Sequence, residues 1–111
     1  MESETKFVYM TCTDKNEARK IGRALVESRI AACVNILDPM ESLYWWEGAV
    51  QNDQETVLIA KTTVEKVPDL KKQVISLHSY ECPCIVCLPI DGGHEDYLGW
   101  IKTQVSGGCH N

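Results

Sequence analysis

The sequence predicts an α+β fold: one antiparallel four-stranded sheet, two helices on one face of it, and a further helix added at the C-terminus. Three observations carry this expectation. Strand-like and helix-like hydrophobic periods alternate in the order βαββαβ before a last helical stripe. The candidate strands carry apolar residues on both faces rather than on one. The stretch Ile30 to Gly48, IAACVNILDPMESLYWWEG, joins two such runs and holds three consecutive aromatics.

Lys6 to Cys12 reads as the first strand, dense in Phe7, Val8, Tyr9 and Met10, and Thr13-Asp14 ends it. Asp14 with Glu17 three positions on resembles a capping box, Thr13 being the alternative cap. A helix then runs to about Arg29, with Ala18, Ile21, Gly22 and Leu25 on one face. Gly22 costs ~1 kcal/mol against alanine inside a helix, so it marks a close approach of helix to sheet. In the run Ala31 to Leu37, Ala32, Val34 and Ile36 share one face and Cys33, Asn35 and Leu37 the other. Asp38-Pro39 breaks the run. Ser42 to Glu47 resumes it, Tyr44 and Trp46 pointing one way and Trp45 the other.

The polar segment Ala49 to Gln54 reads as the hairpin connection, and Glu55 to Thr63 as the next strand. Within that strand Val57 and Ile59 face opposite to Leu58 and Ala60. Pro68 suits the first turn of a second helix, whose stripe of Val67, Leu70, Val74 and Leu77 leads to His78. Cys84 to Ile90 is the fourth strand, where Pro89 marks either an edge or a strand end. Asp91-Gly92-Gly93 is a turn, and Glu95 to Val105 is a terminal helix. This order is the split-βαβ, ferredoxin-like one. The chain forms one domain over residues 1–111, with 1–5 and 106–111 expected to be flexible tails.

Large rings on both sides of one strand need cover on both sides, and a small domain has few helices to supply it. The open face of such a sheet is usually polar; here it is apolar, which predicts self-association through the sheet and the aromatic hairpin.

Composition narrows the function. Hydrophobic residues are 44% and charged residues 24%, a globular balance. A formal charge of −5, with eleven scattered Lys and Arg, leaves nucleic acid without an electrostatic footprint. No run approaches the ~20 apolar residues that span a bilayer, so no membrane partner is expected. The N-terminus MESETKFVYM has no signal layout, and the expected location is cytoplasmic. The six cysteines lie mostly in apolar runs and read as reduced, buried thiols rather than a disulfide framework.

Candidate chemistry is sparse. In Cys82-Pro83-Cys84-Ile85-Val86-Cys87, the Cys84 and Cys87 side chains face opposite ways on one strand. Cys82 and Cys84 share a face, but no second pair completes a tetrahedral zinc site. His78 closes the second helix, either as a favourable charge at its negative end or as a metal ligand with Glu81 or a residue from another chain nearby. His94 reads as a turn residue and His110 as part of the tail. No phosphate loop or triad appears, and Lys61, His78 and Glu81 receive no support as an acid–base pocket. No enzyme is predicted.

The segments AACVNI (31–36), SLYWWEG (42–48), LIAKTT (58–63), LHSYECP (77–83) and DYLGWI (96–101) resemble, in order and spacing, those of the divalent-cation tolerance family called CutA. The resemblance covers residues ~6 to 105. It implies a homotrimer with sheets facing inward and long hairpins between the second and third strands wrapping their neighbours. Asn35, Tyr44, Trp45 and Trp46 are the residues expected at the trimer interface. It also implies a role in tolerance of copper and other divalent metals, with no obligatory cofactor. The copper site proposed for bacterial relatives has a cysteine where this chain has Met10 and two histidines where it has Leu77-His78, so only His78 carries over. Glu81 is its expected companion. The architecture is also similar to that of trimeric signalling proteins that bind small effectors between subunits. On that alternative Lys61, Tyr80 and Glu81 line the effector cleft and hold a small anion.

Overall fold

Strand β1 (Thr5–Cys12) lies inside the sheet, paired along one edge with β3 and along the other with β4. The computed structural model describes residues 4–106. After β1 come helix α1 (Lys15–Glu27), β2 (Cys33–Trp46), β3 (Ala49–Thr63), a single 3₁₀ turn (Val64–Lys66), α2 (Val67–Leu77), β4 (Ile85–Pro89) and α3 (Glu95–Val105). The strands form one sheet in the order β2-β3-β1-β4, with every neighbouring pair antiparallel. This is the predicted α+β arrangement, with β4 at an edge. Thr5, expected in the tail, instead begins β1 opposite Thr63 and is buried. Gly107, Gly108 and His110 lie outside the described residues.

The Asp14 carboxylate caps α1 by accepting the Glu17 N–H at 2.8 Å. Glu17 reaches back to the N–H of Thr13, at 2.9 Å, one residue before the cap. The expected face of Ala18, Ile21, Gly22 and Leu25 is the buried one. A β-carbon on Gly22 would meet Val34 Cγ2 at 2.9 Å and Leu58 Cδ1 at 3.3 Å, so the helix sits too close to β2 and β3 for any side chain there. The helix stops at Glu27, short of Arg29. Arg29 turns into the left-handed region (φ 64°), and the Ile30 and Ala31 N–H groups both return to the Leu25 carbonyl.

Under α1 and α2 lies the core: Val8, Met10, Cys12, Leu58 and Ala60 from the sheet against Ile21, Leu25, Leu70 and Val74. Met10 is fully buried there. A smaller cluster joins Ile101 and Val105 of α3 to Ala32. The opposite face of the sheet is apolar, as predicted. Phe7 pairs with Leu88, and Tyr9 lies between Ile59 and Val86. Val86 and Leu88 remain 46% and 47% exposed.

The hairpin departs from expectation. Ala49 to Gln54 is strand, not connection: Trp46 pairs with Ala49, and the turn is Glu47-Gly48 alone. Both turn residues have positive φ (51° and 81°), the two-residue turn that matches strand twist. Asp38-Pro39, in cis, interrupts β2 without ending it. Leu37 pairs with Val57 and Met40 with Glu55, so two residues of β2 face one of β3 in a bulge. The Thr56 hydroxyl donates to the Asp38 carboxylate there. The arm gives the chain its elongated envelope of 51 × 27 × 23 Å.

Candidate functional site

Where α2 ends, His78 takes an extended backbone and its side chain is fully buried against β1 and α1. Its Nδ1 accepts the Tyr80 N–H at 3.0 Å. A backbone N–H can only donate, so the ring proton is on Nε2, which donates to the Thr11 carbonyl at 2.7 Å. Glu17 Oε1 lies 3.9 Å from Nε2. Its other oxygen accepts the Ser79 N–H at 2.8 Å. One carboxylate thus ties the start of α1 to the segment after α2. Tyr80 packs on the imidazole, ring centres 4.6 Å apart, and its hydroxyl donates to Glu55 at 2.9 Å.

Cys12 completes a cluster: its sulfur and ligand atoms of Glu17 and His78 all lie within 4.8 Å of one another. Burial, with Glu17, Asp14 and Glu55 nearby, pushes the Cys12 thiol up to about 12. Burial also pushes the Glu17 carboxyl up, but the N–H donors of Thr13 and Ser79, the Ser79 hydroxyl and the neighbouring His78 carry it below the ordinary 4.5. A carboxyl held low in the folded state favours folding at neutral pH. That contribution fades as pH falls below the ordinary value and vanishes below the folded one. Wild type is therefore expected to lose more stability than Glu17→Gln between pH 7 and pH 3. Urea midpoints at the two pH values measure the difference.

Beside this cluster a cleft of about 760 Å³ opens between the arm and the segment 80–84. Tyr9, Thr11, Met40, Glu55, Tyr80 and Cys84 stand among its walls, with Tyr44 and Trp46 toward the arm. The Tyr9 hydroxyl donates to Met40 Sδ at 3.4 Å. Burial, then Cys84 and Glu55, raise the Tyr9 phenol. Three carboxylates, Glu41, Glu55 and Glu81, line the cleft, and no Lys, Arg or His does so among the described residues. Its field therefore favours cations over anions.

The expected site residues divide into three groups. The carboxylate set beside His78 is Glu17, whereas Glu81 is exposed on the cleft wall. Tyr80 and Glu81 share the cleft, but Lys61 does not line it. Lys61 donates to Asn35 Oδ1 at 2.8 Å and stands 5.7 Å from the centre of the Tyr97 ring. Asn35, Tyr44, Trp45 and Trp46 are all exposed, Trp45 to 74%. The cysteines at 12, 33, 82, 84 and 87 are free thiols, as expected. Cys12 and Cys87 pack in or against the core, but Cys82 is exposed. Sequence reasoning read Glu17 as a cap and passed over Glu55 and Met40. Their partners are 62, 25 and 31 positions away, beyond any local pattern.

Known proteins supply the family. Residues 6–104 match the family model described as CutA1 divalent ion tolerance protein. The "Divalent-cation tolerance protein CutA" of Thermus thermophilus is 47% identical over 97 residues, 87% of this chain and 94% of its own. That of Archaeoglobus fulgidus is 40% identical over 99 residues, 89% of this chain and 96% of its own. The crystal structure of CutA1 from Shewanella sp. SIB1 superposes with a TM-score of 0.91 at 36% identity, covering 94% of this chain and 97% of that one. The Thermus structure superposes at 0.88 and 45%, covering 90% and 97%. With one family model spanning nearly all of the described residues, the chain belongs to the CutA1 family of divalent ion tolerance proteins.

Proposed function

We propose that this protein is a non-enzymatic homotrimer serving divalent-cation tolerance in the cytoplasm, and that it binds copper or a similar cation weakly at His78, with Glu81 on the neighbouring cleft wall. The observation that carries the metal reading is the cluster of Cys12, Glu17 and His78 donor atoms within 4.8 Å. Weak binding follows from the same geometry. A cation at Nε2 displaces the bond to Thr11, and the proton moved to Nδ1 would confront the Tyr80 N–H. The apolar open face and the exposed indoles support a trimer, since no other described element covers them.

Calorimetric titration of copper and zinc into wild type and His78→Gln tests the site. Wild type is expected to bind, and the variant, whose amide keeps a polar group in the pocket, to bind at least tenfold less tightly. Equal binding by the two removes His78. The alternative, a signalling module taking an effector in an intersubunit cleft, draws support from the size of the cleft beside Tyr80 and Glu81. Its acidic lining makes that effector cationic or neutral rather than the expected small anion.

A further inference from the structure

We propose that the cleft is a site for a thiophilic cation, held by the Cys82 and Cys84 sulfurs and the Met40 thioether. This goes beyond the His78 reading and holds whether or not His78 takes metal.

The three sulfurs line the same cleft from two segments distant in sequence, the bulged part of β2 and the approach to β4. Filling a core explains Cys12 and Cys87 but not Cys82, which is exposed. Cys84, partly exposed, shares the cleft wall with Thr11. Met40 receives the Tyr9 hydroxyl at 3.4 Å, which steadies the thioether at the cleft wall. Around them stand Glu41, Glu55 and Glu81 with no cationic side chain among the described lining residues, so the cleft draws positive charge. Carboxylates alone would suit Mg²⁺ or Ca²⁺. Two thiolates and a thioether select soft ions such as Cu(I), Ag(I) or Cd(II).

Binding involves no redox step. As each thiol forms its sulfur–metal bond it gives its proton to water, so two protons leave for every cation bound.

Cadmium alone, titrated into the full chain, is the probe. Wild type is expected to develop a thiolate-to-cadmium charge-transfer band in the ultraviolet, saturating at one cadmium per chain with two protons released to a dye indicator. The band should vanish in Cys82→Ser/Cys84→Ser and persist in Cys33→Ser and in His78→Gln. Met40→Leu should keep the band but require more cadmium to saturate it. Bound cadmium should also shield Cys82 and Cys84 of the unmutated protein from alkylation, read by peptide mass mapping, which needs no variant to fold. A band that survives in the double serine variant, shielding that falls on other cysteines, or the absence of any band in wild type would overturn the site. Loss of copper binding in His78→Gln with the cadmium band intact would leave this site standing while supporting the other.

Discussion

Trp45→Ala with Trp46→Ala is expected to yield a folded chain that sediments near its own 12.5 kDa rather than at three times that mass. In the isolated chain both rings project from the arm, 74% and 51% exposed, and neither belongs to a core cluster. Removing them takes nothing from the protomer's interior, so its secondary structure should persist. Indoles that anchor an interface typically cost about 2–4 kcal/mol each when truncated to alanine, tens to hundreds of fold in dissociation. Applied to two rings in every protomer, the change should move dissociation through the micromolar range. Sedimentation over a concentration series reads the result. A variant holding the mass of wild type at every dilution would exclude the arm from assembly.

His78→Ala should show the second large effect, and it acts inside the protomer. The substitution empties a fully buried position and strips partners from the Tyr80 N–H and the Thr11 carbonyl. Each buried polar group left unsatisfied costs about 1–3 kcal/mol. Together they predict a loss of about 2–6 kcal/mol. His78→Gln should recover part of it. Glu17→Gln combined with His78→Ala should cost less than the sum of the two, because both hold the same segment. A melting temperature unchanged in His78→Ala would show that this network contributes no stability.

What could be read from sequence followed how local the physics was. The α1 face, the Asp14 cap and the limits of α3 were legible because each depends on residues within a few positions of one another. The arm was misread at Ala49 to Gln54 for a definite reason. Within the protomer Ala49 to Gln54 is largely exposed and mostly polar, so this strand carries no alternating apolar signal and looks like loop. The turn is Glu47-Gly48, which lacks the Asn or Asp that usually announces such a turn. At the site, His78 was visible as a residue but its surroundings were not. Its partners come from β1, from the first turn of α1 and from the segment just beyond the ring, and only folding brings them together. The charge of the cleft was hidden for the same reason. Lys61 looked like one of its residues, but its side chain is engaged by Asn35 and Tyr97.

The arm pairs residue by residue down to a two-residue turn, its one irregularity being the bulge at Asp38-Pro39. A ribbon built this way behaves as a ruler: its tip stands at a set reach from the body, because no slack segment lets it shorten. Lengthening each strand by two residues beyond the bulge would carry Trp45 and Trp46 outward by about 7 Å while every contact in the domain stayed as it is. Any surface that receives those rings must therefore be spaced to match the count of residues in the arm.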